Sequence, residues 1–200
     1  MRKGQQTRER IIAQAAPIFN TRGFAGSSMQ DVMEATGLEK GGLYRHFSSK
    51  EELAAETFRY ALAGSVRLRT EKLDGARGAL EQLRLLVKRF VEAPSAVKGG
   101  CPLMNTAIDA DDGNARLRAL ARKGFADWRE RLCGVVREGL NSGEIQKGTE
   151  PRRIANTIIA TLEGALTLSR LEGTRAALED AQASLELLID LLRRNGQKTG

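Results

Sequence analysis

Residues 27–50 constrain the fold of this 200-residue chain more than any other segment. Ser27 is a favourable N-cap residue, and Gln30 follows three positions later, as in a capping box. A short apolar pattern ends at Gly37, which suits the left-handed position after a helix. A second short helix is predicted over residues 40–46. Two short helices joined by a glycine-containing turn predict a helix-turn-helix, the motif that places its second helix in the major groove of DNA.

The segments on both sides of this motif are also predicted to be helical. Apolar residues recur at helical spacing over residues 7–22, and Ser49 with Glu52 forms a second capping box that begins a long helix. Further along, amphipathic helical patterns continue without the alternating Val, Ile and Thr runs of β-hairpins. We therefore predict an all-α fold in two parts, a three-helix DNA-binding head over residues 1–50 and a helical body over residues 51–200.

The formal net charge of +7 is concentrated in the predicted head. Residues 1–50 hold eight Lys or Arg against four acidic residues, a net +4, and the rest of the chain holds the other +3. A basic surface suits a polyanion, because each phosphate that it neutralises releases counterions. Charge alone is a weak signal, but together with the helix-turn-helix it favours double-stranded DNA as the partner.

Two patterns bear on the compartment. No run comes near about 18 continuous apolar residues, so no contact with a membrane is expected, and residues 1–6 lack the apolar stretch of a signal peptide. Cys101 and Cys133 are too few for a disulfide framework, which favours a reducing environment. We therefore expect a cytoplasmic protein.

A set of motifs follows in order through the first quarter of the chain: Ile11 to Ala16, Phe19, Gly23-Phe24, Ser28, Asp31-Val32, Gly37-Leu38, Leu43 to Phe47 and Lys50 to Leu53. In this order and spacing they resemble the DNA-binding head of the TetR family of transcriptional regulators. The resemblance implies a homodimer that binds a near-palindromic operator, usually as a repressor, and that a small molecule releases. In the body it implies only an all-helical, ligand-binding and dimerising part.

The resemblance also assigns base contacts. Lys40, Gly41, Gly42 and Arg45 would face base edges, and Gln30 would reach a base from the preceding helix. Arg and Lys can address O6 and N7 of guanine. Because two glycines occupy positions where side chains could read bases, operator shape is expected to carry part of the specificity. The alternative for Gln30 is only to close its capping box.

Phosphate contacts are assigned in the same way to Ser28, Tyr44, His46 and Lys50. Hydroxyl groups, cations and helix N-termini all suit phosphate oxygens. The alternative for His46 is only to cap the end of its helix.

The last two predicted helices carry apolar residues at steps of three and four, the pattern of a seam between packed helices. Further apolar residues lie off this seam, and a helix that is apolar on more than one side must bury more than one side. We predict a dimer interface here, which the resemblance supports through a four-helix bundle. A purely intramolecular core is the alternative. The predicted interface residues are Ile158, Leu162, Ala165, Leu185, Leu188 and Leu192.

An effector pocket is expected among the middle helices. Ligand pockets are mostly apolar with aromatic walls, which selects Phe90, Met104, Phe125 and Trp128, with ordinary core positions as the alternative. Cys101 is added because a thiol at the start of a helix near a lysine can react with oxidants or electrophiles. Some family members with a similar Gly-Cys segment sense such compounds through the cysteine. Redox or electrophile sensing is thus one alternative, and a buried structural cysteine is the other.

Two functions outside DNA binding compete with this interpretation. His46 is the only histidine, and the sequence contains no phosphate-binding glycine loop, metal-ligand cluster or nucleophile motif. We therefore predict no catalytic residue, cofactor or metal ion, which disfavours an enzyme. A helical interaction module whose helix-turn-helix serves only as scaffold is the second alternative.

Overall fold

The computed structural model describes residues 3–70, 76–110 and 113–194. Within these residues the chain is all-α, as predicted, and an isolated bridge between Ile145 and Arg193 is the extent of its β structure. None of the described helices combines the length and apolarity that a membrane span requires. The helices are α1 (Lys3–Arg22), α2 (Met29–Thr36), α3 (Lys40–Tyr44), α4 (Lys50–Thr70), α5 (Ala79–Glu92), α6 (Pro102–Asp109), α7 (Ala115–Ser142), α8 (Pro151–Glu172) and α9 (Ala176–Leu191).

The chain divides into two compact units. The head unit comprises Met1–Val66 and Ser95–Gly124, and the body unit comprises Arg67–Pro94 and Phe125–Gly200. The head unit therefore contains, besides the predicted three-helix head, most of α4, all of α6 and the first turns of α7. The head unit thus combines two segments of the chain, between which about thirty residues of the sequence belong to the body unit.

An apolar core from α1 to α4 holds the helix-turn-helix together. Ile11, Val32, Leu43, Phe47 and Leu53 are each at most 1% exposed and pack in one cluster. Leu43 and Phe47 lie four positions apart, so both point inward from the end of α3 and the loop after it, as predicted. Loss of a buried Leu or Phe side chain costs about 2–5 kcal/mol, so this cluster fixes the position of the short α3.

The start of α2 differs from the prediction by one residue. The N-cap is Ser28, whose hydroxyl accepts the Asp31 N–H at 3.1 Å while the Asp31 carboxylate accepts the Ser28 N–H at 2.7 Å. The predicted capping box of Ser27 and Gln30 is therefore wrong. Ser27 is buried, and its hydroxyl donates to the carbonyl of Gly23 at 2.6 Å. Of two adjacent serines, the one that faces the core cannot cap the helix.

The other helix ends agree more closely with prediction. Gly37 follows α2 with φ of +66°, the left-handed conformation expected of it. At the start of α4 the Ser49 hydroxyl accepts the Glu52 N–H at 3.1 Å, as predicted. The Glu52 carboxylate, however, accepts hydrogen bonds from the N–H and hydroxyl of Ser48, at 2.8 and 2.7 Å, rather than from Ser49. The capping contact thus extends into the loop that leaves α3.

The body unit is built around a second core, in which α5, α7, α8 and α9 pack together. The start of α5 is capped from far along the chain, because the Glu144 carboxylate accepts the N–H groups of Ala79 and Leu80 at 2.6 and 3.2 Å. Gly78 adjoins this contact, where a Cβ would lie 2.7 Å from a Glu144 oxygen. A side chain at this position would therefore displace the capping carboxylate.

The predicted dimer residues need correction, because the seam that they form is inside the protomer. Five are at most 6% exposed in the body core, and Leu188 is half-buried against it. Side chains already buried by α5, α8 and α9 of the same chain cannot present a surface to a partner. The predicted residues to which this correction applies are Ile158, Leu162, Ala165, Leu185, Leu188 and Leu192. The large apolar side chains that α8 and α9 leave exposed are a different set, Leu168, Leu171, Leu187 and Leu191.

Candidate nucleic-acid interface

The short helix α3 has one buried and one open face. Leu43 is completely buried, whereas Lys40, Gly41, Tyr44 and Arg45 are exposed, with Tyr44 at 43%. The inward side chain anchors the helix and directs the polar side chains away from the core. Four of the predicted DNA-contacting positions therefore share one open surface, which is suited to the edges and backbone of a nucleic acid.

The two glycines of α3 are not required by the packing of the protein itself. A Cβ at Gly41 would meet no atom within 4 Å, and one at Gly42 would make ordinary contacts with Leu38, at 3.7 Å and beyond. Glycine inside a helix costs about 1 kcal/mol relative to alanine. Packing within the protein does not require glycine at either position. A surface that approaches the backbone of α3 closely would account for both residues.

The residues predicted to contact phosphate differ in their exposure and in the contacts that they already make within the protein. Lys50 is half-buried, and its Nζ lies 4.3 Å from the centre of the Phe24 ring, a cation–π contact. His46 is half-buried just after α3, and its backbone N–H donates to the carbonyl of Leu43 at 3.0 Å. The Ser28 hydroxyl donates to the Asp31 carboxylate at 2.6 Å. The Ser28 hydroxyl is thus already engaged in the capping box, so it is a weaker candidate for a phosphate contact.

Gln30 lies exposed on α2, away from the capping role considered for it. Its Nε2 donates to the Glu34 carboxylate at 3.1 Å, one turn further along the same helix. This contact lies at the surface, so Gln30 can exchange it for a base at little cost.

Two carboxylates fix the helices on either side of α3. The hydroxyl and N–H of Ser28 lower the pKa of Asp31 below its ordinary 3.8, and the Arg22 guanidinium at 2.6 Å lowers it further. The hydroxyl and N–H of Ser48 likewise lower the pKa of Glu52 below 4.5, with smaller contributions from the charges of Arg8 and Arg116. Both carboxylates are therefore charged near neutral pH and hold their helix starts in place.

Two family models match the chain. The one described as bacterial regulatory proteins, tetR family, matches residues 11–57, and the one described as tetracyclin repressor-like, C-terminal domain, matches residues 79–185, more than half of the chain. The chain belongs to the TetR family of transcriptional regulators. It is therefore a DNA-binding regulator, with its helix-turn-helix at α2 and α3.

Solved structures and curated relatives agree with this family. A TetR transcriptional regulator from Chloroflexus aurantiacus J-10-FL is 43% identical, with a TM-score of 0.92 over 97% of this chain and 99% of that one. A TetR-family regulator from Cytophaga hutchinsonii is 34% identical, with a TM-score of 0.90 over 99% of each chain. The HTH-type transcriptional repressor DhaR of Mycobacterium sp. (strain GP1) is 25% identical over 173 residues, 86% of each chain.

The predicted effector residues of this TetR-family chain fall into both units. In the body unit the rings of Phe90 and Trp128 stack with centroids 5.6 Å apart, and Phe125 stacks on Trp128 at 6.4 Å. Cys101 and Met104 lie in the head unit, where Cys101 is the N-cap of α6 and 4% exposed. The structure thus brings three of the five together, and a single pocket lined by all five stays a prediction.

Sequence reasoning missed two residues that adjoin these sites. The Arg69 guanidinium lies 3.9 Å from the centre of the Phe90 ring and so covers the aromatic stack. Asp109 of α6 accepts the N–H of Phe24, in the turn before α2, at 2.6 Å. Each contact joins residues far apart in the chain, so neither spacing nor local pattern could have revealed it.

Proposed function

We propose that this TetR-family regulator is a homodimeric repressor that binds a near-palindromic operator through α3 and releases it when a small molecule binds the body. The open face of α3, with its two glycines that internal packing does not require, carries the proposal. We assign the chain no catalytic step. Because an operator lies on the chromosome, the protein acts in the cytoplasm.

Base contacts are divided between side chains and backbone. Arg45 and Lys40 are exposed and can each address guanine in the major groove, and Gln30 can pair with adenine from α2. Gly41 and Gly42 let the backbone of α3 approach the groove wall, because no Cβ stands between them. Sequence readout is therefore sparse, and the shape and deformability of the operator supply the remainder.

Phosphate contacts fix the register of the head on the duplex. Tyr44 offers an exposed hydroxyl, and Lys50 offers an ammonium group held on the Phe24 ring. His46 and Ser28 are weaker candidates, since the first is half-buried and the hydroxyl of the second already donates to Asp31. Contacts of this kind carry no sequence information but supply much of the affinity.

Dimerisation is proposed through the outer faces of α8 and α9. Leu168 and Leu171 of α8 and Leu187 and Leu191 of α9 are 50–79% exposed. Full burial of one such side chain contributes about 1.5–3 kcal/mol. The two helices pack on each other within the protomer, so a second copy would complete a four-helix bundle over these leucines.

The effector is proposed to bind at the aromatic stack of the body. Phe90, Trp128 and Phe125 supply apolar walls, and Arg69 supplies a cation at the edge of the stack. Trp128 is the only tryptophan of the chain, so its fluorescence reports directly on ligands that enter here. Sensing through Cys101 is the alternative, but burial of this residue limits the access of oxidants.

DNA binding is tested with a duplex that the wild-type protein selects from a random-sequence pool, by fluorescence anisotropy of the labelled duplex. Arg45→Ala is expected to weaken binding by about 1–3 kcal/mol and to relax specificity at one base pair of each half-site. The matched control is Arg152→Ala, which removes an exposed arginine from the body unit. If Arg45→Ala binds the selected duplex as tightly as Arg152→Ala does, the proposed role of α3 is wrong.

A further inference from the structure

A second group of cations lies in the head unit, outside the helix-turn-helix. Arg116, Arg118, Arg122 and Lys123 are exposed on the first turns of α7, and no acidic residue lies between Asn114 and Gly124. We propose that Arg116 binds a backbone phosphate at the flank of the operator, so that the first turn of α7 extends the DNA interface beyond α2, α3 and the start of α4.

The first turn of α7 is fixed against the N-terminal part of α4. Asn114 caps α7, with its Oδ1 accepting the Leu117 N–H at 2.9 Å. Leu117 is 3% exposed and packs in a cluster with Ala54 and Ala55 of α4, against which Phe24 also lies. The backbone at Arg116 is therefore held rigidly beside the helix that directly follows α3.

The same cluster connects Arg116 to the proposed phosphate contact at Lys50. Phe24 packs against the cluster of Leu117, and the Nζ of Lys50 lies 4.3 Å from the centre of the Phe24 ring. Lys50 and the first turn of α7 thus adjoin one aromatic side chain. Arg116 directly precedes Leu117 and is exposed, so its guanidinium extends from this position into solvent.

Electrostatics locate Arg116 near the loop between α3 and α4. Its charge contributes to the lowered pKa of Glu52, whose carboxylate accepts hydrogen bonds from Ser48 in that loop. A strand of DNA held by Tyr44 and Lys50 would pass this loop. We therefore expect a flanking phosphate to approach Arg116 from this side of α7.

The carboxylates nearest to Arg116 already pair with other arginines. The nearby carboxylates of Glu52 and Glu56 pair with Arg8 at 3.8 and 3.3 Å, and Glu56 also pairs with Arg59 at 2.6 Å. Within the part of the chain that the structure describes, no ion pair of 4 Å or less forms at Arg116. An exposed arginine suits a phosphate, which its planar guanidinium can bind through two hydrogen bonds.

This inference rests on the proposed docking of α3 and Lys50, and its test separates the two. Binding of the full-length protein to the selected duplex is measured by anisotropy from about 50 to 300 mM salt, where each phosphate contact contributes about 0.9 to the slope of log K against log salt. Arg116→Gln should lower the slope by about 1.8 for a dimer and weaken binding about 8-fold per contact at 0.1 M salt. Arg116→Lys, which keeps the charge, should retain the wild-type slope.

The matched control is Arg122→Gln, which removes the same charge from an exposed position farther along α7 and should leave the slope unchanged. A slope for Arg116→Gln equal to that of wild type, or equal losses in Arg116→Gln and Arg122→Gln, would overturn the inference. If Lys50→Gln and Arg45→Ala also bind like wild type, the proposed interface itself fails, an outcome distinct from failure at Arg116 alone.

A measurement on the DNA side does not depend on the stability of any variant. Neutral methylphosphonate linkages are placed one at a time in the two flanks of the duplex, and wild-type affinity is measured for each. We expect the modification to weaken binding of the wild type at one flanking position per half-site. If the modification has no effect at any flanking position, the contact is absent. At that position Arg116→Gln should be insensitive to the modification.

Discussion

The Asp109 carboxylate, at the end of α6, accepts the backbone N–H of Phe24 at 2.6 Å. Phe24 lies in the turn between α1 and α2, so this bond ties the entrance of the helix-turn-helix to a helix about 85 positions later. Asn20 near the end of α1 supports the same link, because its carbonyl accepts the Nδ2 of Asn105 at 3.0 Å. Within the head unit, α6 therefore holds both the end of α1 and the turn that follows it.

Replacement of Asp109 tests how much this link stabilises the head unit. Asp109→Ala leaves the Phe24 N–H without its charged acceptor, and we expect a loss of about 1 kcal/mol in the free energy of unfolding. Asp109→Asn keeps an acceptor oxygen and should lose less. Urea unfolding followed by circular dichroism measures both. Equal losses in the two variants would show that the carboxyl oxygen is not what stabilises the turn.

Gly23 is expected to tolerate no side chain. Its φ of +73° is strained for other residues, and a Cβ would lie 2.4 Å from the nearer carboxylate oxygen of Asp109. Gly23→Ala should therefore lower the free energy of unfolding by about 1–3 kcal/mol. Part of this loss is a clash with Asp109, so the substitution should cost less in the Asp109→Ala background. Additive losses in the double mutant would contradict that explanation.

Gly41→Ala should separate stability from function. The new Cβ meets nothing within 4 Å, so the helix gains about 0.5–1 kcal/mol. The same methyl group would stand between the backbone of α3 and the groove wall, and we expect operator affinity to fall at least about 10-fold, or 1.4 kcal/mol. Thermal unfolding and anisotropy on one preparation measure the two effects. A more stable variant with unchanged affinity would remove the interface explanation for the glycines.

Acid should destabilise the helix-turn-helix through Asp31 and Glu52. Hydrogen bonds from Ser28 and Ser48 lower the pKa of these two carboxyls below 3.8 and 4.5. Because the folded-state values are lowered, the stabilisation is fully present above the ordinary values and is lost as the pH falls through the lowered ones. At pH values below about 4.5 the melting temperature should therefore fall, and it should fall less steeply in Asp31→Asn. An unchanged pH profile in Asp31→Asn would exclude that carboxyl as a contributor.

The helix-turn-helix could be predicted because its signals are local. The inward pair of Leu43 and Phe47 and the left-handed Gly37 each act within a few residues of the chain. The one-residue error at the start of α2 has the same origin, since Ser27 and Ser28 are equal as caps and only the core distinguishes them. Contacts such as Asp109 with Phe24 depend on how distant segments meet, which no local pattern encodes.

The error at the dimer interface has a different cause. Helices α8 and α9 are apolar on more than one side, so the sequence shows that each buries two faces but not which face stays inside the protomer. The seam with the better helical spacing, which includes Leu162 and Leu185, is buried where α8 packs on α9. The partner surface proposed above is the apolar face that this packing leaves exposed, and only the exposure of each residue distinguishes the two faces.

That distinction predicts opposite consequences for substitutions on the two faces of α8. Leu171→Glu, at a side chain 79% exposed, should leave the protomer folded but shift the dimer towards monomers, because a charge would enter the proposed interface. Leu162→Ala, at 2% exposure, should instead destabilise the protomer by about 2–5 kcal/mol. Sedimentation velocity measures the first effect, with Ile108→Glu in the head unit, at 71% exposure, as the matched control. A dimeric Leu171→Glu, or a monomeric Ile108→Glu, would place the interface elsewhere.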